Sequence, residues 1–302
     1  MKAIEFDDYG PPEVLHIADV ETPEAGPGQV QLRVAAASVN PADVKWRSGA
    51  LRSFSSVALT LPHIVGYDVS GTVLSAGPGV NRFRPGDRIV TALPKAGYAE
   101  VAVAEEAACA HLPDDVDFVQ AAALPCAALT GVQMVERAIA PHRGETILIT
   151  GATGAVGRFA LAAALDMGTR VIAAVRPAYV DEALQLGAHQ VILLDGSADA
   201  PQVDHVADTV GGPEVASLCR NVKPGGKIVT VSTTPIDPQG LPSPVEFFAY
   251  TREGERLARI VEDIARGKCS MPVVRRFPLA SAAAAHRLME AGGVGGKIVL
   301  EP

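Results

Sequence analysis

The chain has 302 residues and a formal net charge of -8, with 29 glycines and 23 prolines scattered along it. That length allows a large core and one or two domains, and the acidic balance argues against nucleic acid or an anionic membrane as partner. No apolar run approaches the roughly 18 residues of a membrane span, and the acidic opening MKAIEFDDYG lacks the apolar centre of a signal peptide, so a soluble cytoplasmic protein is expected.

Residues 1–118 read as a β-rich domain. Strands are expected at Ala3–Phe6, Leu15–Asp19, Gln29–Ser38, Val69–Ala76 and Arg88–Leu93, separated by glycine and proline turns. A helix starts near Pro41 and runs through Trp46. The acidic segment Leu112–Phe118 precedes alanine-rich helices at Phe118–Leu124 and Ala127–Ala138, and this change in composition marks a domain boundary. Strands at Thr146–Thr150, Arg170–Val175, Gln190–Leu194, His205–Thr209 and Gly226–Ser232 then alternate with helices. That alternation implies an α/β domain over 119–266, a doubly wound parallel sheet covered on both faces. The proline-rich stretch from Val231 to Pro244 reads as a loop beyond the last of these strands, placed to cover a ligand. After the helix Arg256–Arg266, the strand Val273–Pro278, the helix Ser281–Glu290 and the strand Lys297–Leu300 return to the first style. Residues 267–302 are therefore expected to complete the N-terminal domain.

The most informative stretch is Ile147–Gly157, ILITGATGAVG. A buried strand, a glycine turn and a small-residue helix open a dinucleotide-binding βαβ unit. Gly151 and Gly154 let the backbone turn and approach a pyrophosphate, and Gly157 lets the helix pack closely on the strand. The turn residues Thr153, Ala155 and Val156 would offer their N–H groups to the phosphates. About 20 residues past the motif a ribose-reading carboxylate would mark NAD. This chain has Ala174, Val175 and Arg176 there. A guanidinium clasps a 2′-phosphate in bidentate fashion, so NADPH is the expected cofactor, with Tyr179 near the adenine. Val210 follows one later strand and Ser232 ends another, at the carboxyl ends where ligands of such sheets bind.

Several ordered motifs together resemble the medium-chain dehydrogenase/reductase superfamily, in its zinc-free quinone oxidoreductase and enone reductase branch. They are Tyr9-Gly-Pro-Pro-Glu13, Asn40-Pro-Ala-Asp43-Val-Lys45, Gly66-Tyr-Asp68-Val-Ser-Gly71, Gly97-Tyr98-Ala99-Glu100, Leu124-Pro125 to Thr130, the glycine turn, Lys223-Pro-Gly-Gly226 and the closing Gly296-Lys297-Ile-Val-Leu. The resemblance implies a GroES-like catalytic domain, a Rossmann domain and commonly a homodimer. Zinc-dependent relatives place a cysteine ligand where this chain has Ser38-Val39-Asn40, and a His-Glu pair where it has Tyr67-Asp68. His63 stands alone, and Cys109, Cys126, Cys219 and Cys269 form no close pair, which suits reduced thiols. No metal is expected.

The resemblance also implies that Asn40, Asp43 and Thr130 lie beside the nicotinamide ribose and substrate. Many quinone oxidoreductases have a tyrosine two residues after the Asp; Lys45 resembles the enone-reductase subset instead. The expected chemistry is hydride transfer from NADPH to the β-carbon of an α,β-unsaturated carbonyl or to a quinone. Lys45, with Asn40, would donate hydrogen bonds to the developing enolate oxygen. Trp46, Leu51, Phe54, Tyr67 and the loop near Phe247 are candidates for the cleft lining. The alternatives are a quinone reductase with enones as side substrates, a non-catalytic NADPH-binding sensor or structural protein, and a free-standing enoyl reductase acting on thioesters.

Overall fold

The computed structural model describes residues 1–52, 59–195 and 200–302; Phe54 lies outside them. Two compact units emerge from the contacts, one of residues 1–126 and 252–302 and one of residues 127–251.

In the first unit, β1 (Lys2–Phe6), β2 (His16–Asp19), β3 (Gln29–Val39), α1 (Pro41–Ser48), β4 (His63–Ile64), β5 (Asp68–Ala76), β6 (Arg88–Ala92), β7 (Val101–Glu105), β8 (Cys109–His111) and α2 (Phe118–Ala122) come first. Helix α3 (Pro125–Gln133) leads into the second unit and ends in a π-helical turn, Met134–Ile139. That unit contains β9 (Thr146–Thr150), α4 (Gly157–Asp166), β10 (Arg170–Val175), α5 (Val180–Gln185), β11 (Gln190–Leu193), β12 (His205–Asp208), α6 (Pro213–Cys219), β13 (Ile228–Thr230) and β14 (Val245–Phe247). The chain returns to the first unit with α7 (Gly254–Ala265), β15 (Val273–Pro278), α8 (Ala282–Ala291) and β16 (Lys297–Glu301).

The first unit is built on β3. This strand pairs antiparallel with β5, β7 and β16 in a sheet ordered β15-β16-β3-β5-β6-β8. Its first half alternates, burying Val30, Leu32 and Val34, as a strand with one covered face should. Its second half, Ala36 to Val39, is buried throughout. There α2 covers the other face, with Ala36, Ala122 and Val299 in one small cluster. The second unit is a parallel sheet ordered β11-β10-β9-β12-β13-β14. Its strands read as continuous apolar runs because helices screen both faces; Ile147, Leu148 and Ile149 are wholly buried.

The sequence places the domain boundaries at 118/119 and 266/267, whereas the contacts divide at 126/127 and 251/252. The difference comes from two helices. α2 packs on β3 and β5, and α7 packs on β8, burying Leu257, Ile260, Val261 and Ile264 within the first unit. Strands β4, β7, β8 and β14 were not expected; β14 follows the loop 231–244 and adds a sixth strand beside β13.

Candidate active site

In the second unit the sequence-derived cofactor residues meet along the carboxyl ends of the parallel strands. After β9 the chain turns at Gly151, whose φ of 60° lies in the left-handed region that glycine enters without steric cost. A Cβ on Gly157 would stand 2.1 Å from the Gly151 carbonyl oxygen. The first residue of α4 thus lies against the turn that directly follows β9, where a side chain has no room. The Gly154 N–H closes the turn on the Gly151 carbonyl at 2.8 Å. Among the described residues, the N–H groups of Thr153, Ala155 and Val156 donate to no protein acceptor. They precede the N-terminus of α4, an arrangement that fits a diphosphate.

β10 lies beside β9 in parallel, so Arg176 comes out next to this turn. Arg176 is exposed, and its guanidinium sits 5.1 Å from the centre of the Tyr179 ring. Val210 is exposed at the end of β12, and its carbonyl accepts from Ser232 Oγ at 2.7 Å. Thr130 is almost buried on α3. The next residue, Gly131, lies against the glycine turn, where a Cβ would meet the Val156 carbonyl oxygen at 2.4 Å.

Two residues that brace this edge escaped the sequence reading. Asp208 is buried; its Oδ1 accepts from Thr150 Oγ1 at 2.5 Å, Val210 N at 2.9 Å and Gly211 N at 3.0 Å, and its Oδ2 from Thr230 Oγ1 at 2.5 Å. It thereby ties together the ends of β9, β12 and β13. Arg158, also buried, donates to the Thr153 carbonyl at 2.9 Å and to Glu182 Oε1 at 2.6 Å, linking the turn to α5. A lone arginine before Phe159-Ala160-Leu161 was the available signal.

In the first unit, Asn40, Asp43 and Lys45 stand at the start of α1. Asn40 is its extended N-cap, with Pro41 at the first helical position, where a missing N–H costs nothing. Asp43 Oδ2 accepts the Asn40 N–H at 2.7 Å, and its Oδ1 accepts the Gly66 N–H at 2.9 Å. Burial pushes the Asp43 carboxyl up to about 7; the nearby Asp68 charge adds to this, and Lys297 opposes it. The Tyr98 hydroxyl lies 3.3 Å from His286 Nε2, and burial raises its pKa, with the Asp43 charge adding to this. Burial pulls His286 down to about 3, so this ring stays neutral. Asp43 is therefore wholly enclosed, a scaffold for the helix start and for Gly66, and not the ribose contact expected from the sequence. Lys45 is half-buried, and burial draws its pKa down.

Beside Asn40, three adjacent strands bring together a second buried set. β16 and β5 flank β3, with Ile298 opposite Val39 and Asp68 opposite Ser38. Lys297 Nζ donates to Asn40 Oδ1 at 2.6 Å and lies 3.4 Å from Asp68 Oδ2. Asp68 Oδ2 also accepts from Asn40 Nδ2 at 3.0 Å and Ser38 Oγ at 3.1 Å, and its Oδ1 accepts the Cys126 N–H at 2.9 Å. All four side chains are buried. This set offers one carboxylate and no thiolate or imidazole, so it does not fit a catalytic zinc, which takes three protein ligands and an open position. An ammonium sits among the oxygens instead. Among the described residues, the group of carboxylates and histidine that could hold a cation is Glu5, Asp7 and His16, on and beside the exposed β1–β2 hairpin.

The expected cleft lining is mixed. Trp46 packs on the core of the first unit, Leu51 and Tyr67 are partly exposed, and Phe247 is exposed on β14. Burial also raises the Tyr67 phenol, with the Asp43 charge adding to it. The cysteines are free thiols; burial pushes Cys109 and Cys219 up to about 12, which keeps them protonated.

Comparison with known proteins agrees with this architecture. Residues 26–114 match the family described as alcohol dehydrogenase GroES-like domain, and residues 186–300 match the one described as zinc-binding dehydrogenase. A quinone oxidoreductase of Pseudomonas aeruginosa is 31% identical over 100% of this chain and 99% of its own. The chloroplastic NADPH-dependent alkenal/one oxidoreductase of Arabidopsis thaliana is 31% identical, over 100% of this chain and 80% of its own. The solved quinone oxidoreductase of Coxiella burnetii superposes with a TM-score of 0.88 at 32% identity, covering 100% of this chain and 99% of its own. The chain belongs to the medium-chain dehydrogenase/reductase superfamily, in its quinone oxidoreductase branch. It is an oxidoreductase with a GroES-like domain and a Rossmann-type parallel sheet, and no helix is long and apolar enough to cross a membrane.

Proposed function

We propose that this oxidoreductase uses NADPH to reduce the carbon–carbon double bond of α,β-unsaturated carbonyl compounds, without zinc. The observation that carries the reading is the start of α1, where a half-buried Lys45 with a lowered pKa follows a closed Asn40–Asp43 turn. When bound, the cofactor supplies the hydride. The glycine turn would hold its diphosphate through Thr153, Ala155 and Val156 N–H groups. Arg176 would clasp the 2′-phosphate while Tyr179 supports the guanidinium from below, and Thr130, Val210 and Ser232 would line the path of the nicotinamide half. The β-carbon of the substrate takes the hydride, and Lys45 with Asn40 donates hydrogen bonds to the enolate oxygen as its charge grows. Lys45 or water then supplies the proton that the α-carbon of the enolate takes up, which completes the saturated carbonyl compound. The reading also includes a cytoplasmic homodimer. The name of the Arabidopsis thaliana relative supports both the cofactor and the substrate class.

A quinone is the second reading, favoured by the names of the Pseudomonas aeruginosa and Coxiella burnetii relatives. An acceptor panel separates the two: NADPH and NADH oxidation is followed with a simple enone, a quinone, an aldehyde and no acceptor. Enone turnover with NADPH, and none with the aldehyde, is the expected result. Quinone-only turnover would make the second reading correct, and tight NADPH binding without turnover on any acceptor would point to a sensor.

A further inference from the structure

Asn40 and Lys297 are 257 residues apart in sequence, yet their side chains meet at 2.6 Å in a buried site. The chemistry of the neighbours decides which way the Asn40 amide points. An ammonium only donates and an ionised carboxylate only accepts. The amide oxygen must therefore face Lys297 Nζ, and the amide nitrogen must face Asp68 Oδ2, as observed at 2.6 and 3.0 Å. The reverse orientation would set N–H against N–H on one side and oxygen against oxygen on the other. One Nδ2 proton is used by Asp68, which leaves the second for another acceptor.

From this set we infer that Lys297 is a positioning residue: its ammonium locks the Asn40 amide so that the second Nδ2 proton is presented to the substrate oxygen. The inference rests on the reading that Asn40 touches substrate. Lys297 itself touches none; it is 2% exposed, and its place on β16 is fixed by the pairing of Ile298 with Val39. It also supplies the positive charge beside the buried carboxylate of Asp68. Losing it would free the amide to rotate and leave Asp68 with no cation.

The test is a double-mutant cycle on turnover of a simple enone, with KM for NADPH and a circular-dichroism melt measured alongside. Lys297→Met is expected to lower kcat at least tenfold and leave KM for NADPH within about twofold, and Lys297→Arg to restore most of the loss. In an Asn40→Ala background, Lys297→Met should cost less than twofold further, because the amide it positions is gone. An equal tenfold loss in both backgrounds would overturn the inference, as would a normal kcat in Lys297→Met when Asn40→Ala is impaired. Normal kcat in Asn40→Ala would instead remove the reading on which the inference rests. Should Lys297→Met fail to fold, Lys297→Arg decides: kcat within about threefold of the parent supports the inference, and a folded Lys297→Arg with kcat as low as Asn40→Ala contradicts it.

Discussion

The two candidate regions are built on opposite principles. The cofactor edge of the second unit offers mostly backbone: a glycine turn with uncommitted N–H groups, flanked by an exposed Arg176. The polar set of the first unit is made of side chains that satisfy one another, with Asp43, Asp68 and Lys297 almost entirely out of solvent. Local backbone shape creates the first, and long-range strand pairing creates the second. A ligand site made from backbone depends on what is left out at each position, here a Cβ. A site made from buried side chains depends on every partner being present, because an unpaired buried charge is costly.

Four substitutions or conditions sharpen this contrast. Lys45→Met should produce the largest change in rate. A donor aimed at a developing oxyanion is worth roughly 3–4 kcal/mol, so kcat should fall by about 10²–10³, while NADPH titration shows unchanged binding. Unaltered turnover would remove Lys45 from the chemistry. Gly157→Ala should act on the other region: with a Cβ 2.1 Å from the Gly151 oxygen, the turn must open, and NADPH binding should weaken on the order of 100-fold in a fluorescence titration, the equivalent of about 2.7 kcal/mol. Next comes Arg176→Ala. Losing a charged hydrogen-bond partner costs roughly 1.5–3 kcal/mol, so NADPH should bind about 10- to 100-fold more weakly and NADH almost as before. Equal losses for both cofactors would assign Arg176 no phosphate.

The last prediction concerns stability rather than rate or binding. The Asp43 carboxyl titrates at about 7 in the fold against an ordinary 3.8. The folded state thus holds this proton more tightly than the unfolded chain. Its contribution is fully present below the ordinary value and is lost as pH rises toward 7, with a slope of at most about 1.4 kcal/mol per pH unit. Urea unfolding at several pH values should show that slope, and Asp43→Asn should flatten it. Identical slopes in both proteins would mean that Asp43 is ionised throughout.

The same contrast explains what the sequence discloses. The spacing of Gly151, Gly154 and Gly157 and the position of Arg176 at the end of β10 are short-range features, and the structure gathers all of them on one sheet edge. The main strands, including Thr146–Thr150 and Arg170–Val175, are legible because buried parallel strands must be continuously apolar. The enclosure of Asp43 is not legible, because it depends on Gly66 and Tyr98 arriving from distant segments. Lys297 is visible in the closing motif but carries no sign that β16 will set it beside Asn40. The domain edges also moved, because nothing in the composition of α2 or α7 says which sheet will bury its apolar face.

The central claim is metal-independent transfer of hydride from NADPH to the β-carbon of an enone. Its most direct test supplies [4-²H]NADPH, labelled on the transferred face, and a simple enone to protein whose zinc content has been measured after exhaustive chelation. The claim requires full turnover at far less than one zinc per chain, with deuterium on the β-carbon of the saturated ketone. Deuterium on the carbonyl carbon of an alcohol, or activity that returns only with added zinc, would contradict it.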